Sequence, residues 1–305
     1  MSNDLPKIYK MPLEERFYDL DAEQVEFFRN ETGIQDEEEL KHHIVAVQTK
    51  AYSIYRYPCI RLFQFAKLRI ARLPAYPDLL RLGRERKGAI FLDIPCCCQY
   101  VGNDTRKAVQ DGYPIDNVVA SDLHKDFWDL GHEMFKSTPE SFPVPFIQGD
   151  VFDPKFLEAS PPFTLGNPPA TPVPTLNTLT TLNPLRGHLS ACFCGAFFHL
   201  FSEDAQYQIA QGLAGLLSPQ PGSMIFGVHG SRPEKGFWHP TGTERYMFCH
   251  SPDSWKDLWE GLFGGKENVQ VKAALRDGDG GNDLHGTYPG NKEPHHLMEW
   301  SVTRI

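Results

Sequence analysis

Three aspartates stand at the tips of apolar runs. Asp93 follows Ala89–Leu92, Asp122 closes the run that begins at Asn117–Ala120, and Gly149-Asp150 follows Phe146–Ile147. Between the first two lies a turn-rich stretch with Gly102, Asn103 and Asp104. A helix is predicted next, over about 104–110, closed by Asp111-Gly112 and Pro114. Strand, loop, helix, strand with an acid at the second tip is the first βαβ unit of a dinucleotide-type fold. In that unit the helix N-terminus faces a polar ligand, and the acid takes the two hydroxyls of a ribose. Asp122 is the residue so placed. One acid at a strand tip can also be a helix cap or a solvated loop; two in the right order, Asp122 and Asp150, favour a ligand more strongly than either alone.

Cysteine and histidine offer further chemistry. Cys96, Cys97 and Cys98 are consecutive, and Cys192, Cys194 and His199 lie in or just beyond a predicted neighbouring strand. Zinc ligands come in spaced pairs, and three adjacent thiols cannot easily all face one ion. The reading is therefore no metal, with the cysteines as small polarisable packing. His199 is either a structural histidine or a residue facing a substrate.

These groups need elements to hold them. Asp21 caps a helix to about Asn30, with Gln24 three residues on as in a capping box. A second helix starts at Asp36 with Leu40, Ile44 and Val47 on one face. It continues, or bends near Pro58, into a third striped by Leu62, Ala66, Ile70 and Leu73. After Asp122 come a helix over about 125–136, a third strand at Phe146–Ile147 and a fourth at Leu189–Phe193. A helix over 203–217, a turn at Pro219–Gly222, a fifth strand at Ser223–His229 and a helix over 255–262 follow. Two late strands, Val269–Leu275 and Leu297–Thr303, complete the set. The fold class expected is α/β, a Rossmann-like seven-stranded mixed sheet with helices on both faces. Residues 1–87 form a helical lead-in or lid and residues 88–305 the sheet domain. Within it, 160–187 carries seven prolines and six threonines and reads as a flexible insertion.

With 41% apolar and 23% charged residues the chain reads as a globular protein. A net charge of −9 argues against a nucleic-acid binder. No apolar run approaches the roughly 20 residues of a membrane span, and Met1–Lys10 lacks the pattern of a signal peptide. Seven cysteines, three of them adjacent, suit a reducing cytoplasm better than a disulfide framework. Residues 1–49 hold 12 acids and 5 Lys/Arg, whereas residues 50–87 hold 10 Lys/Arg and 2 acids. The basic stretch is a solvated helix face, or a field that attracts an anionic small molecule.

Several motifs together resemble one family. They are Asp93, Cys96-Cys97, Gly102-x-Asp104-x-Arg106, Asp111-Gly112, Ser121-Asp122-Leu123, Phe197-Phe-His199-Leu-Phe201 and Gln206. Pro221-Gly222-Ser223, Phe248-x-His250-Ser251 and Trp255-x-x-Leu258-Trp259 join them. The chain resembles, from about residue 20 onward, the class I S-adenosylmethionine-dependent carboxyl O-methyltransferases of fungal meroterpenoid and other secondary-metabolite pathways. The resemblance implies S-adenosylmethionine as cofactor, with S-adenosylhomocysteine as its product. It gives Asp122 the ribose hydroxyls and Asp150 the adenine amino group, with Leu123 and Val151 on the base. Asp93 faces the amino-acid end, and Pro95, Cys96, Gly102 and Cys192 fall beside the cofactor. Related sequences read Asp-x-Gly-Cys-Cys-x-Gly-x-Asp-x-Arg. Here Pro95 replaces the first glycine and about three residues are inserted before Gly102. Proline fixes φ and removes a donor, so this loop must take another shape.

The partner implied is a small-molecule acceptor, a carboxylic acid or a phenol; the oligomeric state, a homodimer included, is left open. A carboxylate is already ionised near pH 7 and needs only a donor or cation to hold it. A phenol needs a base, and His199, in the fold's substrate-side position, is the catalytic candidate. Trp238 and Tyr246, with His239 and His250, are candidates for the acceptor wall. Gln48, Tyr52 and Tyr55 join them if the lead-in is a lid, and Arg56 or Arg61 would then meet a substrate carboxylate. The main expectation is carboxyl methylation of a hydrophobic small molecule. The alternatives are a phenol or hydroxyl O-methyltransferase with His199 as base, and a catalytically silent binding protein with an altered cofactor loop. The G-x-G-x-x-G of nicotinamide enzymes is absent.

Overall fold

Apolar residues alternate along the strands, and the alternation sorts the core into two layers. Phe91 of β1 (Ile90–Asp93), Phe193 of β4 (Leu189–Gly195) and Phe226 of β5 (Met224–Ser231) face one side; Leu92, Cys192 and Ile225 face the other. The computed structural model describes residues 11–97, 101–239, 246–277 and 296–305. The strands β2 (Val118–Asp122), β3 (Phe146–Gln148), β8 (Val269–Asp277) and β9 (His296–Arg304) complete a seven-stranded sheet of order β3-β2-β1-β4-β5-β9-β8. The first five strands in that order run parallel; β9 is antiparallel to both of its neighbours. This is the doubly wound mixed sheet expected from the sequence. Its crossover between β1–β2–β3 and β4–β5 leaves a crevice at the carboxyl ends of the strands.

The lead-in packs on the first face. Asp21 caps α1 (Ala22–Thr32) through a full capping box with Gln24, and Asp36 caps α2 (Glu37–Ile54), which buries Leu40, Ile44 and Val47. The expected third helix does not form. After a four-residue α3 (Pro58–Arg61), Phe63 takes φ +56°, and only short 3-10 turns follow at Gln64–Ala66 and Ile70–Arg72. Leu62, Ala66, Ile70 and Leu73 are buried all the same, because the irregular chain tucks them into the core. A left-handed residue cannot continue a right-handed helix, so the apolar stripe reported burial rather than helix. The helix α4 (Tyr76–Glu85) completes the segment.

The two charge blocks meet each other. Arg61 pairs with Glu14, and Arg72 with Asp21 and Glu23. Arg61, expected at a substrate carboxylate, is buried and also donates to the Pro12 carbonyl at 2.9 Å, so its charge is spent inside the lead-in.

The helices α5 (Asn103–Gln110) and α6 (Lys125–Met134) flank the first strands; α7 (Glu203–Leu216) and α8 (Pro252–Leu262) cover the second face. Gly102 precedes α5 at φ +83°, where a Cβ would stand 2.9 Å from the Trp128 ring; only glycine fits both demands. The Pro/Thr-rich segment has two 3-10 turns, and it sinks Leu182 and Leu185 completely into the second-face core. A short ribbon, β6 (Gly236–Trp238) with β7 (Met247–Cys249), is an element the sequence did not suggest. Among the described residues, no helix is long and apolar enough to cross a membrane.

Candidate functional site

The crevice holds a cavity of about 320 Å³ lined from the tips of β1, β2, β3 and β4. Asp122 stands in its floor. One carboxylate oxygen accepts the Cys97 N–H at 2.8 Å, and the other accepts the His124 N–H at 3.0 Å. Burial raises its pKa, while those two backbone donors hold it down. A carboxylate offers about four lone-pair directions, so two remain for a ligand. Asp150 lines the same cavity from the turn after β3; its side chain accepts the Phe152 N–H at 2.9 Å. Leu123 and Val151 flank the opening between the two acids.

The loop after β1 solves the missing glycine by turning toward β2. The Cys96 N–H donates to the Ser121 carbonyl at 3.0 Å, and the Cys97 N–H goes to Asp122. Pro95 and Cys97 therefore line the cavity, and Cys96 lies buried behind them. Cys98 lies outside the described residues.

Other expected cofactor residues face elsewhere. Asp93 is buried and accepts the Thr105 hydroxyl at 2.5 Å; burial, then the nearby Asp104, raises its pKa well above the usual carboxylate range. Gly102 packs on Trp128, and Cys192 is sealed in β4 with its sulfur 3.8 Å from that of Cys194.

His199 sits in a single 3-10 turn, Phe198–Leu200, just past β4. Phe197, Leu200 and Phe201 on either side of it line the cavity. The Gly230 N–H donates to its Nδ1 at 3.1 Å. Burial, and then the positive charge of Arg69, push its pKa down to about 4. The ring is therefore neutral near pH 7, and with Nδ1 accepting, its proton resides on Nε2.

The residues expected at the acceptor wall are not gathered in this cavity. Gln48 is buried and donates to the Ile60 and Arg61 carbonyls, and the Tyr52 hydroxyl donates to the Met11 carbonyl. Trp238 is buried on the β6–β7 ribbon, where Tyr246 is 65% exposed and stacked on His239. Tyr55 packs against Tyr57 with ring centroids 4.1 Å apart and planes tilted by 33°, and it is Tyr57 that lines the cavity. Sequence reasoning missed Tyr57, His124, Phe127 and Phe152 as lining residues. His124, Phe127 and Phe152 lie within one to four residues of Leu123 or Val151, so proximity to a strand tip was the available signal; Tyr57, between α2 and α3, carried no such signal.

Comparison with known proteins follows the same lines. Residues 13–66 match the family described as the meroterpenoid methyltransferase N-terminal domain. The chain is 31% identical over 217 residues to O-methyltransferase phiE of Fungal sp., covering 71% of this chain and 63% of that protein. It is 28% identical over 255 residues to O-methyltransferase atr3 of Stereocaulon alpinum, covering 82% and 66%. To the Asnovolin E/Chermesin D methyltransferase nvfJ of Aspergillus novofumigatus it is 29% identical over 235 residues, covering 76% and 74%. The chain thus spans slightly less than two thirds of the first two relatives. The sheet order is that of the class I methyltransferase fold, and in sequence the chain is similar to fungal secondary-metabolite O-methyltransferases.

Proposed function

We propose that the chain methylates a carboxylate oxygen of an apolar small molecule, with S-adenosylmethionine as donor. The observation that carries the choice of a carboxylate is the hydrogen bond from Gly230 N–H to His199 Nδ1. It leaves a proton on Nε2, so the neutral ring is a hydrogen-bond donor and not a base. A carboxylate is ionised at neutral pH and needs such a donor. A phenol, with pKa about 10, needs the base that this tautomer does not supply.

The residues fit the cofactor. Asp122 has two lone-pair directions left at the tip of β2, Asp150 follows β3, and apolar side chains line the slot between them. In this reading Asp122 holds the ribose hydroxyls and Asp150 the adenine amino group, while Leu123 and Val151 pack on the base. Bound there, S-adenosylmethionine supplies an electrophilic methyl group on a sulfonium. His199 Nε2–H orients the acceptor by binding the oxygen that does not attack. Phe152, Phe197 and Phe201 exclude water, which strengthens that contact and strips the solvent shell from the nucleophile. Carboxylate and sulfonium charges cancel on transfer, so no proton has to be moved.

The test is a panel of apolar carboxylic acids and matched phenols incubated with S-adenosylmethionine carrying a labelled methyl. A methyl ester releases its label as methanol in mild alkali, whereas an aryl ether does not. Alkali-labile label on acids supports the reading; alkali-stable label on phenols, or no transfer to any acid, overturns it.

A further inference from the structure

The Cys96–Cys97 pair takes no part in that chemistry, yet it is assembled with care. The two sulfurs are 3.4 Å apart and both residues are buried. A carboxylate oxygen of Asp122 joins them, and the three ligand atoms all lie within 4.8 Å of one another. Tetrahedral zinc, with Zn–S about 2.3 Å and Zn–O about 2.0–2.2 Å, sets neighbouring ligand atoms roughly 3.5–3.8 Å apart. The sulfur pair already stands near that spacing, and the carboxylate oxygen reaches it with a shift of at most about 1 Å.

The backbone explains how adjacent cysteines come to face one point. Cys96 N–H is tied to the Ser121 carbonyl and Cys97 N–H to the Asp122 carboxylate, so consecutive residues are strapped across the end of β2. Three adjacent thiols cannot easily all face one ion. The third donor here is a carboxylate 25 residues further on.

We propose that Cys96, Cys97 and Asp122 form a binding site for a thiophilic divalent cation of the zinc class, with its fourth position on the cavity side, where Cys97 and Asp122 line the slot. Loading exchanges two thiol protons for the metal, with two S–H bonds replaced by two S–metal bonds and no change of oxidation state. It also withdraws Asp122 from the cofactor. Metal and cofactor therefore compete; this second statement rests on the function proposed above, and the first does not.

The probe is Cd²⁺, titrated into the full chain under a non-thiol reductant and followed by thiolate-to-cadmium charge-transfer absorbance. One saturable equivalent is expected. It should be lost in Cys96→Ser and in Cys97→Ser, weakened tenfold or more in Asp122→Ala, and retained in Cys192→Ser/Cys194→Ser. A band that survives in Cys96→Ser and Cys97→Ser, or that disappears with the Cys192/Cys194 pair instead, overturns the site. Cadmium X-ray absorption on the wild-type chain needs no folded variant. Two sulfur scatterers with an oxygen shell support the assignment, and four sulfurs or none refute it. For the competition, Zn²⁺ at ten times its own dissociation constant should raise the apparent Kd of S-adenosylhomocysteine roughly tenfold. An unchanged Kd overturns the antagonism. No binding of S-adenosylhomocysteine to the metal-free chain overturns the functional reading and leaves the Cd²⁺ result standing.

Discussion

The main-chain N–H of Gly230, near the end of β5, donates to Nδ1 of His199 at 3.1 Å, across the turn that follows β4. A backbone N–H can only donate, so this contact settles which ring nitrogen carries the proton in the neutral form. Replacing His199 by Gln, which keeps a donor, should preserve most of the rate on a carboxylic acid. Alanine should lower kcat/KM about 10- to 100-fold, the worth of a hydrogen bond to a charged group. The wild-type rate should stay flat from pH 6 to 9, because the ring changes charge only near pH 4. A rate that climbs through neutral pH, and loses that climb in His199→Gln, would make His199 a base.

Asp104 gives a stability test with a definite sign. It is 2% exposed, its one oxygen accepts the Ile70 N–H at 3.0 Å, and its other meets no donor among the described residues. Burial raises its pKa from 3.8 to about 6, against the pull of the Ile70 N–H and the Arg69 charge. The unfolded chain ionises near 3.8 and the folded chain near 6, so the buried charge costs stability at pH above 6 and nothing below 3.8. Asp104→Asn should therefore gain on the wild type as pH rises from about 4 to about 6, by about 1–3 kcal/mol, and then level off. Urea unfolding at pH 4.5 and 7.5 measures the difference; a gap that shrinks as pH rises would refute it.

Much of this architecture is legible in the sequence, and the failures are instructive. The Asp21–Gln24 capping box and the Asp36 cap are local devices, so their helices start where the spacing puts them. Strands that alternate between two apolar layers read clearly for the same reason. The stripe Leu62–Ala66–Ile70–Leu73 misled because burial sets a period without fixing a backbone, and Phe63 at φ +56° breaks the helix. At the site, acids at strand tips were visible because strand ends are. Gln48 and Tyr52 turn their polar atoms to carbonyls within the lead-in, a pairing that no periodicity reveals. Tyr57 reaches the cavity only through the irregular chain after α2.

The Pro/Thr-rich segment should behave as part of the core where it carries leucine. Leu182 is fully buried, and its N–H donates to the Phe156 carbonyl at 3.0 Å. Leu182→Ala should cost about 2–4 kcal/mol in urea unfolding. Val173→Ala, on the same segment at 63% exposure, should change stability by less than about 0.5 kcal/mol. Equal, small effects at both positions would mean the segment does not dock as described.

The proposed function depends on Asp122 holding the cofactor. The direct measurement is calorimetric titration of the metal-free chain with S-adenosylhomocysteine, repeated with Asp122→Ala, after circular dichroism has shown both to be folded. Micromolar binding that weakens about 100-fold or more in the variant is expected, as befits two lost hydrogen bonds to a charged group. No heat from the folded wild type would mean that the Pro95 loop has closed the site. Equal binding by both chains would contradict the role given to Asp122.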